Sequence, residues 1–114
     1  RLLSNKDENP VVFLIKEYLH HNYAVPSLSV PDISEHVHLS PAYVCTLFKS
    51  ETGQTLNQYL TDYRIKMSKQ FLSDPLYKIT DISAKVGYSD GNYYSKAFRK
   101  IVGLSPSEYR EKML

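Results

Sequence analysis

Tryptophan is missing from this sequence of 114 residues, which holds a single cysteine and only four glycines. One cysteine, Cys45, can close no internal disulfide and supplies no thiolate cluster for zinc, which suits a reducing compartment. No Gly-rich phosphate loop is present, and no Ser, His and acid set stands at the spacing of a catalytic triad, so neither an enzyme nor a bound cofactor is expected. There is no run of eighteen apolar residues and no charged-then-apolar leader. Neither a membrane span nor an export signal is therefore expected, and the location expected is cytoplasmic. Alternating apolar and polar runs long enough for a strand are also lacking, which points to an all-α fold. The first residue is Arg1 rather than Met, and the chain is expected to be a fragment whose missing N-terminal part holds a regulatory domain.

Net charge is small in the total but uneven in its distribution. The formal net charge is +2, yet residues 1–63 carry four basic and seven acidic side chains, a net of −3, and residues 64–114 carry ten basic and five acidic, a net of +5. A phosphate backbone is attracted mainly to the second half. With 42% hydrophobic residues, the chain has enough apolar material for one compact domain or two small lobes sharing an element.

Helix start and stop signals predict seven helices. Asn9 before Pro10 is an N-cap followed by proline at the first helical position, opening a helix whose apolar residues are Val11, Leu14, Ile15, Tyr18 and Leu19. Ser29 with Asp32 forms a capping box for a short second helix through about Val37, and Ser40 before Pro41 opens a third that Gly53 ends. Thr55 with Gln58 starts a long fourth helix to about Ser73, roughly 27 Å at about 1.5 Å per residue. Leu56, Tyr59, Leu60, Tyr63, Met67 and Phe71 fall on one side of it, and Ile65 and Leu72 on the other. A helix apolar on two sides is buried on two sides, so this one is read as a bridge between lobes. A fifth helix is expected over about Ile79 to Val86. A sixth should run from Ser89 as N-cap to Gly103, and a seventh starts at the box of Ser105, Pro106 and Glu108.

The chain also repeats itself. Asp32-Ile33-Ser34 recurs as Asp81-Ile82-Ser83, and Val37 and Ser40 recur as Val86 and Ser89, at an offset of 49. After one extra residue Phe48-Lys49 matches Phe98-Arg99, Gly53 matches Gly103, Thr55 matches Ser105 and Tyr59 matches Tyr109. Each copy is a short helix, a turn and a longer helix, the layout of a helix-turn-helix. The domains expected are an upstream linker over 1–9, a first helix-turn-helix over 10–54, a linker helix over 55–74 and a second helix-turn-helix over 75–114.

Helical periodicity separates core from reader. In the third helix Val44, Leu47 and Phe48 share one side, leaving Ala42, Cys45, Thr46 and Lys49 to point away. In the sixth, Tyr94, Ala97, Phe98 and Ile101 are expected to face inward, with Asn92, Ser95, Lys96 and Arg99 outward. Asn pairs bidentately with adenine, Lys or Arg with guanine or phosphate, and Ser with either, so the second set suits a major-groove reader. Ala42 and Thr46 suit thymine methyl groups. Tyr43, Lys49, Tyr93, Arg99 and Lys100 are expected at phosphates.

These residues carry a resemblance. The stretches Leu39-Ser40-Pro41-Ala42-Tyr43-Val44, Leu47-Phe48-Lys49, Glu51-Thr52-Gly53, Tyr59-Leu60 with Arg64, and Val86-Gly87-Tyr88-Ser89-Asp90 resemble the AraC/XylS family of transcription regulators, over about Val11 to Lys112. Tyr93 to Lys100 and Gly103 to Arg110 add the most specific part, with wording like the effector domain of response regulators. The resemblance implies sequence-specific binding of double-stranded DNA and transcription regulation, two recognition helices set into successive major-groove segments, and RNA polymerase as a further partner. It places base contacts at Ala42, Cys45 and Thr46 in the first unit and at Gly91, Asn92, Ser95 and Lys96 in the second. The chain departs from the family in having Ser34, Ser68 and Ser83 where alanine is usual, so buried hydroxyls there need backbone acceptors. Lys78 replaces a capping residue, and His38 stands where the second copy has Gly87.

Blander readings compete with these. His36, His38 and Cys45 fit no strong zinc spacing, and the histidines are read as surface residues. Cys45 has no basic neighbour in sequence to activate its thiol. Arg64 lies at the edge of the buried stripe, which favours a structural role over a DNA contact. The alternative function is a helix-turn-helix adapter that binds protein rather than DNA.

Overall fold

The computed structural model describes residues 8–114, so most of the expected upstream linker lies outside the described residues. Seven α-helices follow in order: α1 (Pro10–Asn22), α2 (Val30–Val37), α3 (Pro41–Thr52), α4 (Leu56–Leu72), α5 (Ile79–Lys85), α6 (Gly91–Val102) and α7 (Pro106–Met113). No strand occurs among the described residues.

All the helices but α5 begin where a side chain hydrogen-bonds the backbone of the first turn or of the capping residue. Asn9 accepts from the Val11 amide at 2.8 Å. The Asp32 carboxylate accepts from both the amide and the hydroxyl of Ser29, and Ser40 accepts from the Tyr43 amide. Thr55 with Gln58 and Ser105 with Glu108 close reciprocal boxes. Lys78 makes no such bond at the start of α5. One start differs from expectation: α6 is capped by Asp90, not Ser89, with the Asn92 amide donating to the Asp90 carboxylate at 2.9 Å. The two turns begin alike, Leu39 N–H donating to Ser34 and Tyr88 N–H to Ser83. The extra residue of the second copy is thus Ser89, and Ser40 corresponds to Asp90.

The chain divides into two compact units. Among the described residues, the first comprises 8–22 and Ser27–Leu60, the second Tyr23–Pro26 and Thr61–Leu114. In the first, α1, α2 and α3 pack on one another around Val12, Ile15, Leu19, Ile33, Val44, Phe48, Leu56 and Leu60, all buried. The stripe on α1 is shifted from the expected one. Val12 is inside, whereas Leu14 is 46% exposed. In the second unit, α5 packs on α6 and α6 on α7. Its core is Ile65, Leu72, Ile82, Val86, Tyr94 and Phe98, with Tyr23, Met67, Phe71 and Tyr109 around it. Helix α4 thus gives Leu56 and Leu60 to one core and Ile65, Ser68 and Leu72 to the other.

The three serines that stand at alanine positions are buried, and each hydroxyl donates to the carbonyl three residues before it: Ser34 to Pro31, Ser68 to Ile65 and Ser83 to Thr80. His38 takes the left-handed conformation at φ 60°, a strained geometry for a side chain with a Cβ. Arg110 closes the end of α4, its guanidinium donating to the carbonyls of Leu72 and Asp74 at 3.0 and 3.2 Å.

The Tyr94 hydroxyl is buried beside the Ser68 hydroxyl but makes no hydrogen bond of acceptable geometry with it or with any other group. Burial pushes its pKa from 10.0 up to about 12. Tyr94→Phe removes that unpaired group, and urea unfolding should show the variant at least as stable as the wild type, by up to about 1 kcal/mol. Because the folded form favours the protonated phenol, this group's contribution is intact below pH 10.0 and is lost as the pH rises toward about 12. The advantage of Tyr94→Phe should therefore widen across that window, and a constant difference would contradict the assignment.

Candidate nucleic-acid interface

Helix α3 is held by Val44 and Phe48, and α6 by Tyr94 and Phe98, all buried. Side chains four apart lie on one face of a helix, so each helix is fixed by a single side and the other is left in solvent. Residue by residue, the pattern of burial over 41–50 is the same as that over 91–100. Ala42, Tyr43, Cys45, Thr46 and Lys49 are exposed, as are Gly91, Asn92, Tyr93, Ser95, Lys96, Arg99 and Lys100. The structure therefore gathers the sequence-derived candidates onto two helix faces, one in each unit. Ile101, expected inside, is 43% exposed, because it lies a turn beyond the aromatic residues that pack.

Tyr43 and Tyr93 are 52% and 70% exposed on the flanks of their helices. Lys49 Nζ donates to the Gly53 carbonyl at 3.1 Å, and an Arg99 Nη2 stands 3.8 Å from the Glu108 carboxylate. The Lys49 contact is an exposed hydrogen bond to backbone and the Arg99 contact an exposed ion pair worth only about 0–1 kcal/mol, so either cation is available to a phosphate. Hydrogen bonds from the box hold the Glu108 carboxyl below its usual pKa, with Arg99 adding to the effect. At the start of α6 a Cβ added to Gly91 meets only the Ser83 hydroxyl, at 3.8 Å, so the backbone there is open to close approach.

Beside the α6 face is a cleft of about 510 Å³, whose lining includes Thr80, Ser89, Asp90, Asn92 and Ser95. Thr80 and Ser89 bring exposed hydroxyls to its edge. Sequence reasoning passed over them, because Thr80 corresponds to Pro31 in the first copy and Ser89 had been given the capping role. Among the described residues no group of three or more His, Cys, Asp or Glu side chains is placed to hold a metal ion. His36 instead lies against the Tyr18 ring, with centroids 4.5 Å apart. No helix among the described residues is long and apolar enough to cross a membrane.

A family model described as a helix-turn-helix domain matches residues 33–112. The Msm operon regulatory protein of Streptococcus mutans is 34% identical over 110 residues, which are 96% of this chain and 39% of that protein. The chain thus spans about two-fifths of the length of this relative. Among solved structures, the C-terminal domain of AraT, a response regulator from Geobacillus stearothermophilus, superposes with a TM-score of 0.89 at 28% identity, covering 93% of this chain and 88% of that one. A transcriptional regulator with an AraC-type DNA-binding domain from Chromobacterium violaceum superposes with a TM-score of 0.83 at 25% identity, covering 91% and 92%. Two exposed recognition-helix faces on repeated three-helix frames agree with these matches, and the chain belongs to the AraC-type family of helix-turn-helix DNA-binding domains.

Proposed function

We propose that this chain is the sequence-specific, double-stranded-DNA-binding part of a transcription regulator, with α3 and α6 each entering one of two successive major-groove segments. The observation that carries the reading is the matched exposure of the two helices, with Asn92, Ser95, Lys96 and Arg99 along the outer side of α6. An adapter surface gives no reason for an amide, a hydroxyl and two cations at i, i+3, i+4 and i+7 spacing, whereas base edges and phosphates require those groups. Ala42, Cys45 and Thr46 are assigned to bases in the first unit, and Gly91, Asn92, Ser95 and Lys96 in the second. Tyr43, Lys49, Tyr93, Arg99 and Lys100 are assigned to phosphates.

On this reading the second unit anchors the domain and the first refines the choice of sequence. No catalytic step is involved. The whole protein is proposed to act in the cytoplasm, to join this domain to an N-terminal regulatory part of the response-regulator kind, and to contact RNA polymerase once bound.

Titration of fluorescent duplexes, selected from a random pool with the wild-type chain, tests the assignment. Asn92→Ala or Lys96→Ala should each cost about 1–3 kcal/mol and relax the preference at one base position. Arg99→Ala should weaken binding to every duplex alike and reduce the slope of log K against log salt by about 1. If none of the three variants changes binding, α6 is not the reader.

A further inference from the structure

We propose that Arg64 is a positioning residue for the second recognition helix, tying the Tyr23–Val25 backbone to the turn that precedes α6 and so setting how α6 is presented to DNA. The inference rests on the proposed role of α6 as a reader. It concerns a residue of α4 that is itself remote in sequence from every assigned DNA contact.

The guanidinium is used as a fork. Its Nε donates to the Tyr23 carbonyl at 2.8 Å and an Nη2 donates to the Val25 carbonyl at 2.9 Å. Its Cζ lies over the Tyr88 ring, 5.5 Å from the centroid. The Tyr88 ring in turn meets the Tyr94 ring at 5.7 Å, and Tyr94 belongs to α6. Burial lowers the Arg64 pKa from its usual value, while Tyr88 acts in the opposite direction. The guanidinium is half-buried, and the part withdrawn from water is met by two carbonyls and an aromatic ring.

Gly87 completes the arrangement. It is buried at φ 99°, and a Cβ built there would overlap the Tyr23 carbonyl oxygen and stand 2.8 Å from Arg64 Nε. At the matching turn of the first unit, His38 carries a full side chain at positive φ and is exposed. Glycine at position 87 is therefore required by contact with the Arg64 clamp as well as by its backbone angle. Tyr88 follows at once, and Asp90, the cap of α6, comes two residues later. Any displacement of the clamp moves the residues from which α6 starts.

Arg64→Lys keeps the charge but cannot make two parallel, fixed donations. Two measurements on the whole chain test the proposal. The first is the amide NMR spectrum and hydrogen exchange of residues 86–92 in the free protein. The second is selection from a random duplex pool, with the bases read by α6 identified as those that Asn92→Ala relaxes and those read by α3 as those that Thr46→Ala relaxes. With helix content unchanged, Arg64→Lys should alter the amides of 86–92 and weaken the α6 preference about tenfold, while leaving the α3 preference within about twofold, the scale of one good base contact. Gly87→Ala should give the same split. Unchanged amides over 86–92, or both preferences falling together, would overturn the proposal. If the wild-type chain retains no duplex at all, the DNA reading fails, and the amide measurement alone decides whether Arg64 positions α6.

Discussion

Burial of two large side chains four residues apart is the constraint on which the rest of each unit depends. Phe48 with Val44, and Phe98 with Tyr94, reach zero or nearly zero exposure. Each pair pins one side of a twelve-residue helix to its core and makes the opposite side unavoidably exposed. Aromatic packing reinforces the pinning: Phe48 meets Tyr59 edge-on at 5.3 Å, and Phe98 meets Tyr109 in the same way at 5.5 Å. Tyr59 and Tyr109 occupy matching positions in the repeat, so the two units fix their recognition helices by the same contact.

From that shared frame the units diverge in chemistry. The face of α3 offers Ala42, Cys45 and Thr46, which are small and carry no formal charge, and one cation, Lys49. The face of α6 offers an amide, a hydroxyl and two cations, within a half of the chain whose net charge is +5. On the proposed reading, long-range attraction to phosphate is concentrated in the second unit, and the closer, apolar fit falls to the first. The second unit also approaches its helix through a different set of contacts. It has a carboxylate cap, one extra turn residue and the Arg64 fork, where the first has a hydroxyl cap and an exposed histidine at positive φ.

Much of this was legible in the sequence because the decisive interactions are local. Caps at Asn9, Ser29, Ser40, Thr55 and Ser105 bond within three residues of themselves, so a short motif contains both partners. The repeat then distinguished inner from outer sides, since a residue that packs in one copy has a counterpart that packs in the other. Where two local signals competed, the reading went astray. Ser89 and Asp90 can both cap, and an inserted turn residue moved the role to the carboxylate. On α1 two overlapping stripes share Ile15 and Leu19, and periodicity alone did not favour Val12 over Leu14. The acceptors of Arg64 were invisible for a different reason. Every residue has a carbonyl, so nothing in Tyr23 or Val25 marks it as a partner from 39 or more residues away. The cleft beside α6 was hidden likewise, because it is made by the approach of α5 to the start of α6 rather than by any one stretch of sequence.

The most direct test of the central claim, that both repeats read DNA, is a hydroxyl-radical footprint of the whole chain on a duplex selected from a random pool. Two protected windows about 10 base pairs apart on one face are predicted, one for each recognition helix. A single window, with no protection that depends on the exposed side of α3, would contradict the account and leave the first repeat as a structural support alone.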